Sequence, residues 1–260
     1  MSRYSGAAAP LAAAFSERDL RIVRSVSQHR FLTATQIEAL HFDEHASAEA
    51  GARVCRRVLA RLNQQRVLKR LARRVGGVRA GSASYVYALG PVGARLLGQT
   101  KRTTEPSELF LGHTLAIGDV HVRLHRAQRN QQLEVEELRV EPACWRRFSG
   151  VGGAADIIRP DLYLVTAAGD YEDTWFLEID RGTESPAAIA RKCHAYERYW
   201  RSGREQAEHG SFPLTVWIAP NESRAARIQR VIANARHLNR QLFTVTTQDK
   251  LVRLIVEGLG

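Results

Sequence analysis

Ala48-Glu-Ala-Gly-Ala-Arg-Val-Cys-Arg-Arg-Val-Leu-Ala-Arg-Leu-Asn-Gln-Gln65 sorts its residue types at helical spacing. Val54, Val58 and Leu62 form one stripe, widened by Cys55 and Leu59, while Arg53, Arg56, Arg57 and Arg61 fall on the other side. The pattern predicts an amphipathic helix over about 48–65, with one face packed on neighbours and the other presenting guanidinium groups. Guanidinium groups so placed make bidentate contacts to guanine or phosphate, as a helix entering the major groove of DNA requires.

The flanking sequence supplies the partners of such a helix. Upstream, Ser16-Glu-Arg-Asp19 reads as an N-cap followed by early acids, and Leu20, Val23 and Val26 continue at helical spacing to about Arg30. Phe31 to Leu40 gives a short turn, a threonine cap and a short helix carrying Ile37 and Leu40. Downstream, Val67 to Leu71 and the alternating Tyr85-Val-Tyr-Ala-Leu89 read as two strands around a Gly76-Gly77 turn with Arg73, Arg74 and Arg79 at its tip. A helical piece from Pro91 to Leu97 closes the domain. This is a winged helix-turn-helix pattern over residues 16–99, with the hairpin placed to reach the DNA backbone or minor groove. Residues 1–15 read as a disordered lead-in, since the Ala-rich run after Gly6 meets Ser16-Glu-Arg-Asp19 where a secretory leader would carry its cleavage region.

Charge supports the same partner. The net charge of +11 is confined to the first part: residues 1–104 hold 18 Lys+Arg against 6 Asp+Glu, and residues 105–260 hold 20 against 21. Between Glu49 and Glu105 lie thirteen basic residues and no acidic one. A merely solvated helical face interleaves both signs to limit self-repulsion, so the one-sided pattern points to a polyanion. A helical protein-interaction module with a solvated arginine face is the competing reading. The 44% apolar share is that of a globular protein, and no apolar run approaches the ~20 residues of a membrane span. Cys55, Cys144 and Cys193 are widely spaced and show no zinc pattern, so they read as buried thiols in a reducing cytoplasm.

A polar, proline-containing stretch at 100–108 reads as a linker to a second domain, 109–260. There a helix at about 110–128 precedes strands at Leu133–Val140, Ile157–Val165 and Thr174–Asp180. A helix at Pro186–Trp200, a strand at Leu214–Ala219, a helix at Ser223–Leu238 and a strand at Leu242–Thr246 follow. The order predicts an α/β domain with one mixed sheet, which is also the order of a restriction-endonuclease-like core. Glu178 and Asp180 share a strand face because they are two residues apart. If the strands before and after Ala168-Gly169-Asp170 form a hairpin, Asp161 lies opposite that pair and three carboxylates converge. Such a cluster needs a cation or protons, and its oxygen-only ligands suit Mg²⁺ or Mn²⁺. The alternative is a set of strand-end acids balancing Arg159 and Arg181. Lys192, on the flank of the 186–200 helix, has a stem long enough to bring its amine to the carboxylates; the alternative there is a surface lysine. Tyr196, Tyr199 and Trp200 have the spacing of a core stripe, with stacking on bases in a single-stranded channel as the alternative. His121-x3-His125 lacks a third ligand for a metal, and Gly150-Val-Gly-Gly153 lacks the Lys-Ser/Thr of a phosphate loop.

Pro160-Asp161 with Glu178-x-Asp180 resembles a variant of the PD-(D/E)xK nuclease motif. Together with the basic N-terminal domain, the segment Phe176-Leu-Glu-Ile-Asp-Arg-Gly-Thr183 and Lys192-x3-Tyr196, the chain resembles the replication-relaxation family of plasmids and other mobile elements, related to MobC-type mobilisation relaxases. The resemblance implies metal binding by Asp161 and Glu178 and a metal or acid role for Asp180. The ordinary nuclease motif has lysine where Asp180 stands, and Lys192 is the substitute within the chain.

The function implied is that of a Mg²⁺- or Mn²⁺-dependent DNA nickase or endonuclease of plasmid replication or mobilisation. A catalytically inactive nuclease-fold DNA-binding protein, serving as replication accessory factor or transcription regulator, is the alternative. Expected partners are double-stranded DNA at an origin or operator and single-stranded DNA. A second copy of the chain and other relaxosome or replication proteins are further candidates, and no membrane is expected.

Overall fold

The computed structural model describes residues 9–42, 44, 47–71, 84–99, 105–150, 153–168 and 171–258. It is a mixed α+β protein that divides into two compact units, Met1–Val122 and Arg123–Gly260.

In the first unit, α1 (Ala9–Ala12) lies within the stretch expected as a lead-in: Ala12 is buried, and Leu11 and Phe15 pack against the same core. Helix α2 (Glu17–His29) starts at Ser16, whose hydroxyl accepts from Asp19 N–H while Asp19 accepts from Ser16 N–H. This reciprocal cap satisfies two orphan donors and fixes the helix start. Strand β1 (Leu32–Thr33) leads into α3 (Ala34–His41), which is capped in the same way by Thr33 and Gln36. Helix α4 (Ala48–Gln64) follows, then β2 (Leu68–Arg70), β3 (Val86–Leu89) and α5 (Pro91–Leu96). The strands form a small antiparallel sheet in the order β1-β3-β2.

The buried line of α4 is Cys55, Leu59 and Leu62, with Val54 and Val58 only partly covered. Its centre is therefore rotated from the stripe that spacing suggested, because the core partners Ile22, Val26, Ile37 and Leu40 meet it from that side. The glycine at 93 lets α5 approach the β2 entry: a Cβ there would lie 2.2 Å from Val67 O. Residues 72–83, including the expected turn with Arg73, Arg74 and Arg79, lie outside the described residues, as do residues 100–104 of the expected linker. Helix α6 (Glu108–Arg129) contains the division between the two units.

The second unit is built on a five-stranded sheet. Its strands are β4 (Glu134–Val140), β7 (Leu162–Ala168), β8 (Tyr171–Ile179), β9 (Leu214–Ala219) and β10 (Phe243–Thr247), in the order β10-β9-β8-β7-β4. The β4, β7 and β8 pairings are antiparallel, while β8, β9 and β10 run parallel, so the sheet is mixed. The single strand expected at 157–165 is instead two. Strand β6 (Ala155–Ile158) pairs only with β5 (Arg146–Ser149), and β7 begins after Arg159-Pro160-Asp161. Pro160 has no N–H to give a ladder, which accounts for the break. Cys144 marks the same bend, its thiol donating to Pro160 O at 3.0 Å.

Helices α7 (Pro186–Arg201) and α9 (Glu222–Asn234) cover one sheet face. Ile189, Cys193, Tyr196, Ile228 and Ile232 pack with Tyr163, Phe176 and Trp217. Helix α9 stops at Asn234, short of the expected Leu238. Two short helices escaped the periodicity reading: α8 (Arg204–His209), and α10 (Leu251–Glu257), which packs beside β7 and β10. No described helix is long and apolar enough to cross a membrane.

Candidate functional site

The β7–β8 pairing sets the geometry. Leu162 faces Leu177, and the next step outward places Asp161 across from Glu178, with Asp161 N–H donating to Leu177 O at 3.0 Å. Facing residues of an antiparallel pair project to the same side. That side also carries Tyr163, Phe176 and Trp217, so both acids point toward the layer formed by α7 and α9. Both are nearly water-free: Asp161 is 5% exposed and Glu178 1%. Asp161 Oδ2 accepts from Ile179 N–H at 2.6 Å, which pins its carboxylate to the end of β8.

Glu178 is satisfied on both oxygens. Tyr196 OH donates to Oε1 at 2.6 Å and Lys192 Nζ to Oε2 at 2.9 Å. The two donors lie on one side of α7 because they are four residues apart. Burial pushes the Glu178 carboxyl up to about 7; Lys192 and Tyr196 pull against that shift, and Asp161 adds to it. Burial pulls Lys192 downward, but Glu178, Asp161 and Glu184 outweigh it and hold the amine above the ordinary lysine value. The Lys192 ammonium is thus held in its charged form, while burial favours the neutral form of Glu178.

Asp180 takes a different partner. Arg224 donates Nε to Oδ2 at 2.7 Å and Nη2 to Oδ1 at 2.9 Å, and Gly182 N–H adds a third bond to Oδ2 at 2.9 Å. Gly182 holds φ at +83°, a conformation that L side chains rarely adopt, so the turn that delivers this N–H favours glycine. The charge of Asp180 is therefore compensated by an arginine, whereas that of Glu178 is compensated by Lys192. Glu184 links the two pairs: its Oε1 accepts from Lys192 at 2.6 Å and its carbonyl from Arg224 Nη2 at 2.7 Å.

Arg224, Glu184 and the hydroxyl role of Tyr196 were not found by spacing. Arg224 follows the Asn221 cap by three positions and Glu184 precedes Pro186 by two, but nothing in the sequence ties either to Asp180 or Lys192. Tyr196 does sit in the core stripe, fully buried, and its polar end reaches Glu178 from there. Oxygen donors for a hard cation are present: Asp161 and Glu141 each have a carboxylate oxygen within 4.8 Å of the other's. The His121 ring engages His29, Nδ1 to Nε2 at 2.8 Å with the rings stacked.

On α4 the arginines divide. Arg53, Arg56 and Arg57 are exposed along one stripe, joined beyond the helix by exposed Arg66, Lys69 and Arg70. Arg61 instead donates Nη2 to Asp19 Oδ1 at 2.7 Å, tying α4 to the cap of α2. Arg70 also lies over the Tyr85 ring at 4.3 Å, a cation–π contact between the described ends of β2 and β3.

These features define a two-unit α+β protein with a basic helical face in one unit and a buried carboxylate–lysine cluster in the other. The family model described as replication-relaxation matches residues 23–215, and the chain belongs to that family. Neither the curated proteins nor the solved structures compared with it give a significant match.

Proposed function

We propose that this protein binds an origin or similar DNA site through α4 and cuts one strand at the Asp161–Glu178–Lys192 cluster, in replication or mobilisation of a plasmid or other mobile element. Membership of the replication-relaxation family supports the biological setting. The exposed Arg53, Arg56 and Arg57 on a capped, core-anchored helix support the DNA contact, with the helices and β1-β3-β2 sheet read as a winged helix-turn-helix. The single observation that carries the catalytic reading is the convergence of Asp161 and Glu178 on one sheet face with the Lys192 ammonium 2.9 Å from Glu178.

In this reading the second unit is a PD-(D/E)xK-type domain related to MobC-type relaxases, in which Lys192 takes the place of the usual motif lysine. The Asp161 and Glu141 carboxylate oxygens, within 4.8 Å of each other, suit a hard divalent cation, Mg²⁺ or Mn²⁺, and in this reading Glu178 would be a further ligand. A cation bound there would polarise the phosphodiester and lower the pKa of the attacking water. Lys192 would stabilise the charge that develops on the phosphate, Tyr196 would hold the Glu178 carboxylate in orientation, and the Ile179 N–H would do the same for Asp161.

The test is nicking of supercoiled DNA bearing the cognate site in Mg²⁺ or Mn²⁺. Cleavage by the wild type that disappears in Asp161→Asn and Glu178→Gln supports the proposal; no cleavage, or cleavage indifferent to both substitutions, overturns it. A second reading, a non-catalytic DNA-binding protein on a nuclease scaffold, is favoured by one observation: both Glu178 oxygens are already engaged by Tyr196 and Lys192. Intact biological activity in Asp161→Asn/Glu178→Gln would select it.

A further inference from the structure

Beyond the Asp180–Arg224 pair, α7 and α9 border an open cleft of about 510 Å³. Its apolar lining is Ile189 and Ala190 from α7 and Val231 from α9, closed by Ala235 just beyond, and Arg227 and Arg230 stand at its wall. Both arginines are exposed, and among the described residues neither has an acidic partner. Arg224 lines the same cleft, but its guanidinium is committed to Asp180. An aliphatic floor beside guanidinium groups without acidic partners suits a ligand with flat apolar faces and regularly spaced negative charge.

We infer that this cleft binds a single strand of DNA, the phosphates on Arg227 and Arg230 and a base against the floor formed by Ala190 and Val231. The inference rests on the DNA-processing reading above and says where the strand lies. Three magnitudes favour a strand. A volume of about 510 Å³ is that of a cube roughly 8 Å on edge, and a duplex is broader than its own major groove of about 12 Å, so a duplex is too broad to enter. From Arg224 to Ala235 the cleft runs about 16 Å at 1.5 Å per residue, long enough for several nucleotides of one strand. One end is Arg224 itself, which with Glu184 leads to the Lys192–Glu178 pair. A strand seated on Arg227 and Arg230 would therefore pass beside the carboxylate cluster. An acidic peptide with apolar side chains would use the same lining, but it would not account for a basic cleft that opens next to a candidate phosphodiester site.

The experiment measures binding of a fluorescent oligothymidylate and of a duplex to the full chain across a salt series, for wild type and Arg227→Ala/Arg230→Ala. Removing two guanidinium–phosphate pairs should lower the slope of log K against log salt for the single strand by about 1.4 and leave the duplex slope unchanged. Val231→Asp, which sets a carboxylate in the floor, should weaken the single strand in the same direction. Unchanged single-strand slopes in a double variant that melts like the wild type would overturn the inference. So would thymidine monophosphate displacing the oligonucleotide at equal nucleotide concentration, which would make the cleft a mononucleotide site. Binding of an acidic apolar peptide that depends on Arg227 and Arg230, with oligonucleotide binding unaffected, would also overturn it in favour of protein docking. Glu178→Gln separates the two readings, since it should abolish cleavage and leave oligothymidylate affinity as it is.

Discussion

Arg224 holds Asp180 in a two-pronged ion pair that water scarcely reaches, the side chains being 7% and 0% exposed. Removing one member strands the other without solvent, so Arg224→Ala should destabilise the protein by about 3–5 kcal/mol. Arg224→Lys, which cannot reproduce the planar fork, should recover only part of that loss. The double substitution Arg224→Ala/Asp180→Asn should be less damaging than Arg224→Ala alone. Denaturant melts of the wild type and the three variants check this, and a double substitution as damaging as Arg224→Ala alone would contradict it.

The pH dependence follows from Glu178, whose carboxyl burial raises to about 7 from an ordinary 4.5. A carboxyl whose folded value lies above its unfolded one favours the folded state while protonated. Its contribution is full below about 4.5 and fades as pH rises through about 7. The melting temperature of the wild type relative to Glu178→Gln should therefore fall across that window, and parallel profiles would rule the shift out. If the ionised form is what binds the cation, Mn²⁺-dependent nicking should rise through the same pH.

Duplex binding and stability should separate along α4. Arg53→Ala, Arg56→Ala and Arg57→Ala each remove an exposed charge, and each should lower the salt slope for duplex DNA by about 0.9 for every phosphate that its guanidinium neutralises, while leaving the melting temperature alone. Arg61→Ala should instead lower the melting temperature, because it leaves buried Asp19 with only its cap, a loss of about 1–3 kcal/mol. A stable Arg61→Ala with reduced DNA binding would assign its guanidinium, 42% exposed, to the DNA contact expected from the sequence.

His29 should add to the acid sensitivity of the first unit. Burial pulls its imidazole down to about 3, and His121 acts in the same direction. The unfolded chain takes up that proton near 6.5, so stability should be lost as pH falls from there toward 3. His29→Gln should flatten this acid limb, which a thermal melt series reads directly.

Much of this arrangement was legible in the sequence, where a single local signal decided the outcome. Ser16 and a threonine between Phe31 and Ile37 marked helix starts because capping is local chemistry, and the structure places the second cap at Thr33. The 214–219 strand is continuous and apolar, and it occupies the residues expected. The opposition of Asp161 and Glu178 followed from one hairpin and the two-residue period of a strand. What spacing did not reveal is tertiary. The partner of Asp180 is 44 residues away on α9, and that of Asp19 is 42 residues away on α4. The β5–β6 hairpin was hidden because Phe148 and Ile158 alone fill its inward positions, too few for an alternating signal.

Glu184 grips Lys192 with its side chain and Arg224 with its backbone, so the short segment from Arg181 to Ser185 works as a ruler between β8 and α7. The side chain at 184 can be exchanged while the carbonyl stays in place, but the length of the segment cannot change without dragging one ion pair out of register. Related sequences should therefore keep the span of this stretch and the glycine at 182, with insertions collecting elsewhere on the unit.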